Sequence, residues 1–262
     1  MTAYTDIGVD VTGSVATIEM RRPPHNFFDI ELIRQIATAL EALDGNPACR
    51  AVVLAAEGSA FCAGANLGDG AALDKLGLKS SETATGHLYI EAVRLFRTAK
   101  PIVGAIHGPA IGGGLGLALI ADFRVTCPEA KFSANFTRLG FHPGFGLTVT
   151  LPELIGMSKA ASMFYTSRRF TGTEAVAMGL ADVLVAQDRV RAAALTLAEE
   201  IAQSAPLAVM ATRATLRRGL ADRVRAATEH ELKQQLDLRK TADFKEGVKA
   251  MAERRLPNFT GR

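Results

Sequence analysis

Apolar positions along the chain change period several times, and each change marks an element. Residues 7–20 hold two short runs around Thr12-Gly13, the signal of a hairpin. Asp29 reads as a helix N-cap. Behind it Ile33, Ile36, Ala37, Leu40 and Leu43 share one face at helical spacing, until Asp44-Gly45-Asn46-Pro47 stops the helix. Ala51 to Ala56 is a short, wholly apolar run, which predicts a buried strand. The spacing predicts another helix from about Glu82 to Thr98, with a mobile Gly/Ala/Ser-rich stretch before it at 68–81. Val125 and residues 131–133 read as further short strands, and residues 139–146 as a Gly/Pro-rich turn. From Arg189 the pattern is helical almost to the end, with breaks near Ala205-Pro206 and Arg218-Gly219. Strands alternating with helices, then a helical tail, predict an α/β core with a helical C-terminal subdomain.

One stretch does not fit simple periodicity. The β-branched run Ile102, Val103, Ile106 passes through His107-Gly108-Pro109 into Gly112, Gly113 and Gly114, and a second apolar run follows from Leu115 to Ile120. Six glycines, a proline and a histidine between 102 and 120 argue against a membrane span. A strand, a glycine turn and a helix start leave unpaired backbone N–H groups aimed at one spot. Such a spot suits a phosphate or an oxyanion that forms during catalysis. The dinucleotide fingerprint G-x-G-x-x-G fails here, because its last glycine falls on Leu117 or Leu119. No P-loop Gly-Lys-Ser/Thr and no G-x-S-x-G elbow occurs, so the phosphate and serine-hydrolase readings fail on spacing.

Composition narrows the picture further. The 262 residues are 48% hydrophobic and 22% charged, as expected of a folded protein with a substantial core. No tryptophan and only three tyrosines count against a base-stacking nucleic-acid surface. Cys49, Cys62 and Cys127 are odd in number and lack metal-site spacing, so neither a disulfide framework nor a metal site is expected. No signal-peptide pattern is present, which makes a cytoplasmic location the expectation. The net charge of +3 is uneven: from Pro206 onward 13 Lys and Arg face 7 Asp and Glu, a surplus that suits a polyanionic ligand.

AFCAGANL at 60–67 together with GPAIGGGLGLALIADFRV at 108–125 resembles the crotonase superfamily, the enoyl-CoA hydratase/isomerase family. Arg22-Pro23 to Asn26, FTGTEAVAMGLADVLV at 170–185 and ADFKEGVKAMAERRLPNF at 242–259 are similar to further motifs of that family, in the family's order. The resemblance implies a spiral of ββα turns over residues 1–200 and a helical trimerisation region over 201–262. It implies a homotrimer or a dimer of trimers, lyase or isomerase chemistry on an acyl-CoA thioester, and coenzyme A as part of the substrate with no permanent cofactor. By motif, the backbone N–H groups of Ala65 and Gly113 form the oxyanion hole that stabilises a thioester enolate. The loss of such a donor typically costs roughly 3–4 kcal/mol in the transition state. Arg22, Ala63, Met251 and Arg254 are the implied coenzyme A contacts.

The same comparison exposes a gap. Hydration across a double bond needs a base for water and an acid for carbon. The two glutamates that share this work in the family's hydratases fall here on Gly116 and Phe136, neither of which carries a proton. Asp122 sits six residues beyond Gly116, about 240° around a regular helix, which favours a structural role. Asp69 and Glu82 flank the stretch expected to move. His142, in the turn after Phe136, is the histidine best placed to substitute, ahead of His87, while His107 and Cys62 read as packed groups. The open choice is between an enolate-stabilising enzyme without two-glutamate hydration and a non-catalytic acyl-CoA binder.

Overall fold

The computed structural model describes residues 4–66 and 88–262. The stretch expected to be mobile, the beginning of the helix expected from Glu82, and the candidates Asp69, Glu82 and His87 lie outside the described residues.

β1 (Ile7–Thr12) and β2 (Val15–Met20) form the expected antiparallel hairpin, turning at Gly13 with φ +59°. β2 then pairs in parallel with β3 (Ala51–Ala56), and β3 with β4 (Ile102–Ile106). β3 and β4 are buried along their whole length. Their near-continuous Ala, Val and Ile content is what a parallel strand covered on both faces requires. β6 (Phe123–Thr126) and β9 (Val183–Leu184) complete a six-stranded sheet in the order β1-β2-β3-β4-β6-β9. A second sheet contains β5 (Ala110–Ile111), β7 (Lys131–Ser133) and β8 (Phe170–Thr171), and a bridge from Cys62 to Ala110 extends it. The chain steps repeatedly from the large sheet to the small one: β3 to Cys62, β4 to β5, β6 to β7. That stepping is the spiral of ββα turns implied by the resemblance.

Helices close the turns. α1 (Ile30–Asp44) starts where expected, with the Asp29 carboxylate accepting from the Leu32 N–H at 3.0 Å. α2 (Leu88–Leu95) packs on α1. α3 (Gly113–Ala118) is a short, wholly buried helix behind the glycine turn. After a 3₁₀ turn at Thr137–Leu139 come α4 (Leu147–Ile155), α5 (Met157–Thr166) and α6 (Gly172–Met178). A capping box starts α6: the Thr171 hydroxyl accepts from the Glu174 N–H at 3.1 Å, and the Glu174 carboxylate accepts from the Thr171 N–H at 2.7 Å. The family-like stretch at 170–185 therefore does structural work.

α7 (Val190–Ala202) lies on the large sheet through Val190, Ala194, Ala198 and Ala202. Three alanines four residues apart let the helix approach the strands closely. α8 (Pro206–Leu216), α9 (Leu220–Leu238) and α10 (Ala242–Ala252) follow, with breaks at the two expected places and one more at 239–241. Asp122 has the expected structural role. It accepts from the Ile102 N–H, from Arg213 Nε and from Arg217 Nη1, each at 2.8 Å, tying the sheet to α8. Among the described residues no helix is long and apolar enough to cross a membrane.

Candidate functional site

The site forms where the loop after β3 meets the turn before α3. Cys62 donates its N–H to Pro109 O and accepts from the Ile111 N–H, both at 3.0 Å, so the loop at 60–65 runs alongside β5. Glycine is what permits this approach. A Cβ on Gly114 would stand 2.0 Å from the Cys62 carbonyl oxygen, and one on Gly64, at φ +81°, would stand 2.7 Å from Ile111 O. That same Gly64 position is 3.8 Å from the Gly113 nitrogen, which puts residues 63–65 and the start of α3 side by side. Gly112 turns the chain at φ +58° and gives its own N–H to Ser133 O at 2.8 Å. Gly113 is the first residue of α3, where an N–H has no partner inside the helix. Among the described residues neither the Gly113 nor the Ala65 N–H meets a protein acceptor.

Both residues line a cavity of about 350 Å³. Its apolar wall is made by Phe28, Ile111, Phe136, Leu139, Phe141 and Phe145. Phe28 donates its N–H to Gly64 O at 3.0 Å and lays its ring over Gly113, where a Cβ would fall 2.3 Å from the ring edge. Phe145 covers Gly116: a Cβ there would stand 2.7 Å from Cδ1 and 2.8 Å from Cβ of Phe145. Phe136 stacks edge-on with Phe141 at 5.5 Å. Thus the position that resemblance gives to one hydratase glutamate is filled by a neighbouring ring, and the other is itself a ring of the apolar wall. Among the described residues that line the cavity there is neither a carboxylate nor a histidine.

The polar contributions come from elsewhere. Gln235, on α9, accepts from the Tyr89 hydroxyl at 3.0 Å and donates to the His142 carbonyl at 2.9 Å. Burial pushes the Tyr89 hydroxyl above its ordinary pKa. Arg239 follows one helical turn after Gln235, its guanidinium 5.8 Å from the Phe141 ring centre. Burial pulls that guanidinium below its ordinary pKa. Behind the wall Glu231 is fully buried and accepts from the N–H groups of Gly146 at 2.8 Å and Thr148 at 3.1 Å, and from the Thr148 hydroxyl at 2.5 Å. Burial raises its pKa despite these three donors.

The sequence-derived candidates divide clearly. Ala63, Ala65, Gly113 and Met251 all line the cavity. His142 does not: its Nδ1 lies 2.8 Å from the Pro143 carbonyl and its ring is edge-on to His230. Arg22 is engaged inside the fold, 2.6 Å from Asp6 and 2.9 Å from Asp29, and does not reach the cavity. Arg254 is exposed and also outside it. His107 is hydrogen-bonded as expected, with Nε2 3.0 Å from Gly58 O, but it is half-buried rather than in the core, whereas Cys62 is a packed group whose thiol burial pushes up to about 12.

Phe28, Phe145, Gln235 and Arg239 escaped the sequence reading. The signal for the last two was the register of α9. Val224, Thr228, Glu231 and Gln235 form its inward stripe at spacings of four, three and four, and that stripe is mostly polar.

A two-sheet spiral with a glycine turn over an apolar cavity defines a crotonase-type α/β fold, and the comparisons with known proteins agree. The family model for Enoyl-CoA hydratase/isomerase matches residues 10–262, and the chain belongs to that family. A probable enoyl-CoA hydratase of Rhodobacter capsulatus is 32% identical over 261 residues, covering 99% of this chain and all of that protein. A probable enoyl-CoA hydratase of Mycobacterium tuberculosis is 35% identical over 239 residues, 91% of each chain. Among solved structures, carnitinyl-CoA hydratase from Mycobacterium avium superposes with a TM-score of 0.86 at 30% identity, covering both chains completely.

Proposed function

We propose that the cavity binds the acyl thioester of coenzyme A, and that the N–H groups of Ala65 and Gly113 take the thioester oxygen and stabilise an enolate. The observation that carries this reading is a pair of peptide N–H groups, unpartnered among the described residues, in an apolar wall. Preorganised donors act most strongly where water is excluded. Ala63 and Met251 contact the coenzyme A portion. The reaction is not two-glutamate hydration, since Gly116 and Phe136 supply no acid or base. Isomerisation, hydrolysis and carbon–carbon cleavage all run through the same enolate. The helical C-terminal region assembles the chain into a trimer or a pair of trimers.

Infrared difference spectra of a bound acyl-CoA carrying a ¹³C-labelled thioester carbonyl test the donors. The carbonyl stretch is expected to fall below its value in water; an unshifted stretch refutes the assignment. Crotonyl-CoA hydration is expected to be negligible, and turnover near that of a glutamate-bearing relative overturns the second half of the reading. The lack of a carboxylate or histidine among the described cavity residues favours one alternative, a non-catalytic acyl-CoA binder. A shifted carbonyl with neither α-proton exchange into D₂O nor turnover on any thioester of a broad panel selects that alternative.

A further inference from the structure

Among the described residues, one cation of the cavity has no counter-charge. Arg239 reaches its wall from the end of α9, and the Nε and Nη1 atoms are buried with no hydrogen-bond partner among the described residues. Its Nη2 makes only a 3.5 Å contact with Gln235 Oε1. That oxygen already accepts from Tyr89 at 3.0 Å, while the Gln235 amide nitrogen is held by the His142 carbonyl, so the amide is fixed and neutral. Glu231, two turns earlier on α9, is engaged by Gly146 and Thr148 and does not line the cavity. An arginine stays protonated, and a buried guanidinium without partners is unfavourable until an anion arrives.

Resting on the acyl-CoA reading above, we infer that the acyl group of the substrate carries a carboxylate, received by the guanidinium of Arg239. The Phe141 ring beside it suits a short hydrocarbon spacer between that carboxylate and the thioester. The phosphates of coenzyme A are the other source of negative charge. They suit Arg169, an exposed cation of the cavity lining.

Calorimetric titration of the full-length protein with chain-matched pairs decides the matter: glutaryl-CoA against pentanoyl-CoA, adipoyl-CoA against hexanoyl-CoA, and coenzyme A alone. At least one carboxylate-bearing thioester is expected to bind roughly 10- to 100-fold tighter than its plain partner, the range for a charge-assisted hydrogen bond. Arg239→Met is expected to abolish that preference and leave coenzyme A and the plain thioesters within about threefold, as burial of a neutral side chain predicts. Arg239→Lys is expected to retain part of the preference. Equal affinities within every pair in the wild type overturn the inference, as does a preference that survives Arg239→Met. A loss in Arg239→Met that falls equally on coenzyme A alone also overturns it, by assigning the guanidinium to a phosphate. If no thioester binds at all, the acyl-CoA reading falls and this inference with it. Equal binding within pairs removes this inference alone. The wild-type comparison stands whether or not a variant folds.

Discussion

Gly116 offers the most direct test of how the cavity is built. Replacing it with alanine adds one methyl at a point 2.7–2.8 Å from three carbons of Phe145, including its Cβ. The obstacle is therefore the root of a side chain, which cannot swing aside without moving its backbone. Phe145 is 1% exposed and sits at φ +64°, so there is little room for that movement. Overpacking of this kind costs about 1–3 kcal/mol. In an open helix the same change would gain about 1 kcal/mol. The expected net loss of about 0–2 kcal/mol, the difference of those two figures, lowers the melting temperature by up to roughly 8 °C in a chain of this size. Phe145→Gly alone should cost about 3–5 kcal/mol through the cavity it leaves, partly offset because glycine tolerates that φ. In the Phe145→Gly background the Gly116→Ala methyl meets open space and becomes neutral or favourable. A double-mutant cycle by urea unfolding, at fixed protein concentration, is expected to show coupling of about 1–3 kcal/mol, the overpacking term that the glycine relieves. Additivity within about 0.5 kcal/mol would mean that Phe145 does not occupy the Gly116 site, and the account of the missing glutamate would fail.

Three further outcomes are expected. Asp122→Asn leaves Arg213 and Arg217 without their carboxylate and should cost about 3 kcal/mol in urea unfolding, with earlier proteolysis around α8; wild-type stability would show that the ion pairs do not hold that helix. The Glu246 carboxyl is held to about 2 first by hydrogen bonds from the Arg255 side chain and then by the Asn258 N–H. A depressed carboxyl favours the folded arrangement above its unfolded value near 4.5, and the effect fades as pH falls toward 2. Carboxyl NMR should find Glu246 still ionised at about pH 3, with the segment 255–258 released only below that; an ordinary titration midpoint would contradict the contact. Cys62, with its thiol near 12, and the equally buried Cys49 and Cys127 should resist alkylation at about pH 8 until the protein unfolds. Rapid native-state labelling of Cys62 would show the loop beside it to be open.

Much of the framework is legible in the order of residues, because it rests on local rules. The hairpin at Gly13, the Asp29 cap, the wholly apolar 51–56 strand and the helical breaks near Pro206 and Gly219 each follow from a neighbour or from a period. The glycine turn is legible too, since only a backbone that must approach another closely needs Gly112 to Gly114 and Gly64 together. Helix geometry already set Asp122 apart from Gly116, and its structural role follows. What the sequence could not decide is what faces what across long separations. Arg22 offered a free cation on paper, but Asp6 and Asp29 converge on it only once the hairpin and α1 are packed. His142 stands close in sequence to Phe136, yet the turn at 139–146 directs it toward Pro143 and His230. Conversely Gln235 and Arg239 look like a solvated basic tail until α9 lays its polar stripe against the cavity. Phe145 becomes the occupant of the Gly116 site only through a left-handed backbone that residue identity does not announce. Covalent neighbours and periodicity determine the elements. The site's walls and the setting of Arg239 arise from contacts between residues distant in the chain, which tertiary packing alone sets.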